Sequence, residues 1–475
     1  MPTFSSDRSR REFLRTVLAG GLLVVPGSAA LAGCATAGGG GTQDQAKGTE
    51  SEKNPLGVDA NAPLEVVMFA GGLKTDLEWV QKSYTGLYPN AKINLTSTPN
   101  INTLQPRFTG GNPPDMVNDS GAQKIPLAAL AGAGQLADLQ PLLDAPSLAD
   151  PDKKVRDTIM AEAVKVGTYD GKVLVLNYVL SAYGVFYSQS LFKKNGWTMP
   201  TQWSEYMALA EEMKKAGLSP MGYGGVNAPN YVTEMMLTMA GKAGGPEVVV
   251  AIDNLEPNAW KHEAVKNAAT AIEELARKDG FLPGSPGLKH TEAQTQFVTG
   301  KIGSYPSGSW LENEMKTSTP AGFDMVMAPT PRLDSSDKMP HEALHANPGE
   351  PFIVPKQAKN ALGGLEWFRH MLAPENAKAY SEFTGSLTIV TESHDKVKSD
   401  STSLKSVTEA LKKAKDNTFT FLFMDWYGDL KKNAAIAAMS DLLTGRTNAE
   451  GFINAAQAAA DKVAADTNVP KFKRQ

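Results

Sequence analysis

An α/β fold built on a parallel sheet is what this 475-residue sequence predicts, and three observations carry the reading. The apolar run Leu64-Glu65-Val66-Val67-Met68-Phe69 is followed by Leu77, Val80, Tyr84 and Leu87 at helical spacing, and then by Ile93 and Leu95 alternating with Lys92 and Asn94. Strand, helix and strand joined by a crossover of this length favour parallel pairing, since antiparallel neighbours need only a tight turn. A hydrophobic content of 41% over 475 residues suffices for two or three domains with a large core. Cys34 is the single cysteine, so a disulfide framework and a cysteine-based zinc site are both excluded, and stability must come from burial.

Taken in order, the chain opens on Ser9-Arg10-Arg11-Glu12-Phe13-Leu14-Arg15, an apolar stretch and then Leu31-Ala32-Gly33-Cys34. Paired arginines before Phe13 and Leu14 read as a twin-arginine export signal over residues 1–33. Leu31 to Cys34 reads as a lipobox whose cysteine is acylated after cleavage. The apolar stretch Val17 to Val25 is interrupted by Gly20 and Gly21 and closed by Pro26, short of the ~20 residues of a membrane-spanning helix. Order, spacing and the lone cysteine favour this reading over a disordered basic terminus with a chance cysteine. The mature protein is therefore expected at the cell membrane, lipid-anchored through Cys34 on the extracytoplasmic face. Removing the signal takes away Arg8, Arg10, Arg11 and Arg15 against Asp7 and Glu12, moving the net charge from −4 to −6. No long basic run remains, so nucleic-acid binding has no electrostatic footprint.

Residues 34–60, with Gly38 to Gly41 and a polar stretch from Thr42 to Lys53, have the composition of a flexible linker, with order expected from about Asn54. A second strand exit is expected at Pro113-Pro114-Asp115-Met116-Val117, opening into the polar loop Asn118-Asp119-Ser120-Gly121. In open α/β sheets, ligands sit beyond the carboxyl ends of strands, so such a loop is a natural contact point. Tyr169-Asp170-Gly171-Lys172 reads as a hairpin, and Val173 to Tyr187 as a strand long enough to pass between domains. Trp203, Tyr206, Met207, Ala210 and Met213 share a helical face, Glu263 to Lys278 is a helix ended by Asp279-Gly280, and Val407 to Ala465 is mostly helical. Trp79, Trp203 and Trp367 fall inside helical patterns and are assigned to packing.

One enzyme string is present, His341-Glu342-Ala343-Leu344-His345, matching H-E-x-x-H. In a zinc hydrolase a helix puts both histidines on one face with the glutamate beside a zinc-bound water. Here Pro340 precedes it and Asn347-Pro348-Gly349 follows it, so no long helix can carry it, and a chance match in an exposed loop is the better account. No G-x-S-x-G elbow, phosphate-binding loop lysine or cysteine nucleophile occurs, and Glu211-Glu212 and Glu273-Glu274 read as surface charge. No catalytic residue, metal or cofactor is expected. What remains is aromatic: Trp310 after the Gly- and Ser-rich turn 303–309, expected to expose its ring, and Trp426-Tyr427 between two late helices. Aromatic faces stack on the apolar faces of sugar rings, while amides and carboxylates satisfy the hydroxyls.

The order of these segments resembles the solute-binding lipoproteins of sugar ABC importers: Gly111-Asn112-Pro113-Pro114-Asp115, Tyr169 to Lys172 leading to Val185-Phe186-Tyr187-Ser188, Trp203-Ser204-Glu205, Phe297 with Gly300-Lys301-Ile302-Gly303 leading to Trp310, and Pro374-Glu375-Asn376-Ala377 before Thr384-Gly385-Ser386-Leu387. Asn54-Pro55-Leu56-Gly57-Val58, Leu104-Gln105-Pro106-Arg107-Phe108 and Leu142 to Ser147 are similar to the N-acetylglucosamine- and diacetylchitobiose-binding members. The resemblance implies a two-lobed, type II periplasmic-binding-protein-like fold with lobes joined by crossing hinge strands. Lobe 1 would hold residues 61–180 and 326–389, and lobe 2 residues 181–325 and 390–475. It implies a non-enzymatic, monomeric receptor that binds a small sugar and delivers it to the membrane permease subunits of an importer. Another neutral sugar, a zinc hydrolase and an adhesive lipoprotein remain the alternatives. By position, the resemblance implies ligand contacts from Phe69 and Gly72, Asn118 and Asp119, Ser181 and Tyr183, Asn227 and Tyr231, Trp310, Asn347 and Glu350, and Trp426.

Overall fold

Eleven strands run through the computed structural model, which describes residues 45–70, 77–121 and 123–474, all within one compact unit spanning 43–475. They are β1 (Leu64–Phe69), β2 (Ile93–Thr98), β3 (Met116–Asn118), β4 (Thr168–Tyr169), β5 (Lys172–Val173), β6 (Leu176–Ser188), β7 (Ser219–Met221), β8 (Ile302–Gly308), β9 (Met325–Ala328), β10 (Leu344–Ile353) and β11 (Thr418–Phe419). The main sheet has the order β2-β1-β3-β10-β6-β8-β7, with β11 beside β10 and β9 beside β6. β1 pairs parallel with β2 and β3, as its crossover demands, and is covered on both faces. Leu64, Val66 and Met68 meet Val80 and Tyr84 of the helix Glu78–Leu87 together with Trp367 and Phe368, while Val67 faces Ile101, Phe108 and Ile353.

Two strands join the lobes. β6 pairs with β10 along 176–182 and then, from Tyr183 onward, with β8 and β9. β10 meets β11 at its start and β3 at its end. The second lobe's core gathers around the helix Asn230–Gly244, whose Met235, Met236 and Met239 pack with Val265 and Ile272 of the helix Glu263–Arg277 and with Phe452 of the helix Ala449–Ala465.

Several expectations change. From Gln45 the supposed linker is docked: the Gln45 side chain donates to the Lys356 carbonyl at 2.7 Å, and the Ala46 N–H to the Lys359 carbonyl at 2.8 Å. Polar composition could not reveal this, because one polar side chain and the backbone, not apolar residues, make these contacts. Residues 34–44, with Cys34, and the signal 1–33 lie outside the described residues. The segment 326–345, expected in lobe 1, packs in the second lobe: β9 pairs with the distal half of β6, and the Arg332 N–H donates to the Thr201 carbonyl at 2.9 Å. The long strand begins at Leu176, because Leu174 turns back to donate to the Gly167 carbonyl at 3.0 Å. Glu273 is not plain surface charge, since it accepts the Ala449 N–H at 2.8 Å.

Candidate functional site

β1 and β3 end at the same edge, and their last residues open into a cleft of about 280 Å³ between the lobes, at the crossing of β6 and β10. The Phe69 N–H donates to Asn118 Oδ1 at 3.2 Å, and Asn118 Nδ2 donates to the Ser120 hydroxyl at 2.8 Å, so the two strand ends are locked together. Gly121, at φ +87°, lets the Phe69 ring lie against bare backbone; a Cβ there would stand 2.3 Å from the ring. This is the carboxyl-end position where α/β sheets take ligands.

Phe69, Asn118, Ser181, Tyr183, Asn227, Tyr231, Trp310, Asn347, Glu350 and Trp426 all line this cleft. Asp119 does not. Its Oδ1 accepts the Ile125 N–H at 2.8 Å and so shapes the loop that presents Lys124, and burial pushes its carboxyl up to about 6. Gly72 lies outside the described residues. Most of the expected turn is the strand β8, which leaves only a short turn at Ser309 and Trp310, and Trp310 is half-buried: its ring lies over Gly308, where a Cβ would approach to 2.0 Å, and packs on Tyr183 at 5.2 Å and Tyr231 at 5.8 Å between centroids.

His345 extends this wall. Its ring is stacked on Tyr183 at 4.0 Å and on Phe421 at 3.9 Å, so Phe421, His345, Tyr183, Trp310 and Tyr231 form one aromatic band. Burial holds the His345 imidazole neutral, down at about 3. The H-E-x-x-H string is thus not helical, and it divides between a turn, where Glu342 is exposed, and a buried strand. His341 and Glu342 lie in a turn pinned by buried Lys242, which donates to the His341 carbonyl at 2.7 Å, and His345 is in β10. Among the described residues no cluster of three His, Cys, Asp or Glu side chains is placed to hold a metal.

Charged groups also line the cleft that sequence reasoning missed: Lys124, Glu234, Glu314, Asp425 and Lys431. Lys124 of the first lobe donates to Asp425 of the second at 2.7 Å, a cross-cleft ion pair. Glu234, 8% exposed, accepts from Asn230 Nδ2 at 3.0 Å and leaves its other oxygen without a partner. Glu314 accepts from Gln294 at 2.8 Å, and Glu350 from the Tyr380 hydroxyl at 3.2 Å; burial pushes both carboxyls up to about 7. Glu350 also sits at φ +53°, a costly conformation for a side-chain-bearing residue. The arrangement offers hydrogen-bond acceptors and donors beside apolar rings. It can hold a polyhydroxylated ligand without any bond-making step.

Burial raises the Glu234 carboxyl well above the ordinary range. Its folded form therefore holds a proton that the unfolded chain has released, and this group's contribution to stability falls as pH rises from about 4.3 through the folded value. Glu234→Gln should gain stability relative to the wild type between pH 5 and pH 8, read from urea unfolding of the ligand-free protein. A pH-independent difference would show the carboxyl to be ordinary.

Two lobes, two crossing strands and a polar cleft lined by aromatic rings define a periplasmic-binding-protein fold, the class of extracytoplasmic receptors that close around a small molecule. A family model of bacterial extracellular solute-binding proteins matches residues 71–378, and the chain belongs to that family, in the group that serves sugar ABC importers; its members bind solutes and are not enzymes. It is 36% identical to the diacetylchitobiose binding protein NgcE of Streptomyces coelicolor over 430 residues, 90% of each chain. It is 22% identical to a multiple sugar-binding protein of Streptococcus mutans over 51% of this chain and 56% of that one. Among solved structures, a chitin oligosaccharide binding protein superposes with a TM-score of 0.69 at 19% identity, covering 86% of this chain and 100% of the other. A raffinose-bound receptor, RafE, gives 0.65 at 20% identity over 84% and 99%. Among the described residues no helix is long and apolar enough to cross a membrane.

Proposed function

We propose that the protein is the monomeric, lipid-anchored receptor of an importer for N-acetylglucosamine, diacetylchitobiose or both. The observation that carries the reading is the aromatic band Tyr183, Trp310 and Tyr231, with Trp426 also on the cleft wall, among Asn118, Asn227 and Asn347. Rings supply platforms for the apolar faces of pyranoses, and amides pair with hydroxyl and acetamido groups. The 36% identity to a diacetylchitobiose binding protein points to the acetylated sugars over other carbohydrates. Closure would bury the sugar between the lobes, and the permease would select the closed form.

Isothermal titration of the protein from about Gln45 onward with N-acetylglucosamine and diacetylchitobiose, against maltose and cellobiose, tests the substrate. One-to-one binding of the acetylated sugars alone is expected. Heat only with a control sugar would keep the receptor and replace its ligand. For the anchor, Cys34→Ser should move the protein from the membrane fraction to the medium, and an unchanged distribution would remove the lipid from the proposal.

A further inference from the structure

The segment 467–474 crosses from the last helix to the mouth of the cleft, and its contacts reach both lobes. In the second lobe, the Phe472 N–H donates to the Tyr427 hydroxyl at 3.0 Å, and that hydroxyl donates to the Phe472 carbonyl at 3.2 Å. The Arg474 N–H donates to Asn254 Oδ1 at 2.9 Å, and its guanidinium donates to both Asp253 Oδ2 and the Thr420 carbonyl at 2.8 Å. Asp253, fully buried, uses its other oxygen to accept the N–H groups of Leu422 and Phe423 at 2.7 and 2.8 Å. Arg474 and Asp253 thus hold, from behind, the loop that carries Phe421, Asp425 and Trp426 into the cleft.

The Phe472 ring goes further. It lies 5.5 Å from the Trp426 ring and 5.5 Å, edge-on, from Tyr169, a buried residue of the first lobe's β4–β5 hairpin. The ring therefore spans the two lobes between two residues that line the cleft.

We propose that residues 467–474 form a strap in which Phe472 is a positioning residue: it fixes the Trp426 wall and, by gripping Tyr169, favours the arrangement of the lobes seen here, in which Lys124 reaches Asp425 across the cleft. Its effect on affinity rests on the sugar-receptor reading; its effect on lobe arrangement does not. Apparent affinity scales with the fraction of molecules in the binding-competent state, so Phe472→Ala should weaken diacetylchitobiose by about tenfold, chiefly through faster dissociation. The same variant, free of sugar, should have a larger radius of gyration by small-angle X-ray scattering. Phe472→Tyr should restore both, and Phe472→Leu, which removes the ring with less loss of volume, serves should the alanine variant fold poorly. A lowered melting temperature with unchanged radius and unchanged affinity would reduce the strap to plain packing and overturn the proposal. If the wild type bound neither acetylated sugar, the substrate reading would fail, and the scattering comparison would still decide the strap.

Discussion

Trp310→Ala is expected to weaken sugar binding by about a hundredfold or more, the range of a central aromatic hot spot whose loss costs roughly 2–4 kcal/mol. The ring is half-buried, held by Tyr183 and Tyr231 and seated on the backbone of Gly308, so it is already oriented before a ligand arrives. Pre-orientation means little side-chain entropy is lost on binding, which makes such a platform effective. Trp310→Phe keeps a smaller face and should lose about tenfold or less. Gly308→Ala leaves the ring in place chemically but pushes it aside, and should mimic the alanine variant. Calorimetric titration reads all three, with melting temperatures to show that the fold survives. Affinity within about threefold of the wild type for Trp310→Ala would remove the ring from the binding surface.

The largest expected effect on stability lies away from the cleft. Glu366 and Arg369 on the helix Ala361–Met371 are 0% and 4% exposed and form a bidentate pair with contacts of 2.8 and 2.9 Å. Arg369 also donates to the Pro146 carbonyl at 2.9 Å, and His370 Nε2 lies 3.4 Å from the same carboxylate. Removing one partner of such a pair strands the other charge, at a cost of about 3–5 kcal/mol. Glu366→Ala should lower the urea midpoint of the ligand-free protein accordingly, and Glu366→Gln, which keeps the shape but not the charge, should recover only part. Burial alone would raise the Glu366 carboxyl, but His370 and Arg369 outweigh it and hold it below its usual value. The stabilisation is therefore present above the unfolded value of about 4.3 and is lost as pH falls below it. A loss under about 1 kcal/mol would mean that the site relaxes around the vacancy.

Some of this was legible in the sequence because short-range pattern and tertiary environment agree. β1 reads as apolar, the next helix has a clear stripe, and Asn118 and Phe69 stand at strand ends, where the sheet itself puts them in the cleft. The helix Asn230–Gly244 was opaque: it is buried nearly all round, so no amphipathic stripe marks it, and Glu234 on it looked like any charged residue. Lys431 begins a π-helical stretch, Lys431–Ala438, whose Ala435 carbonyl accepts the Thr233 hydroxyl at 2.8 Å; no local signal predicts that geometry. His345 was set aside with its enzyme string, and only the pairing of β10 shows that its ring belongs between Tyr183 and Phe421. Lys124 and Asp425 are 301 residues apart, and their pairing is fixed by lobe geometry alone.

A crystal structure of the protein grown with saturating diacetylchitobiose would show directly whether the cleft holds the sugar. One sugar is expected between the lobes, with a pyranose face against Trp310 and ring substituents within hydrogen-bonding distance of Asn118, Asn347 or the free oxygen of Glu234. Sugar bound on an outer face with the cleft empty, or no sugar at saturation, would contradict this placement.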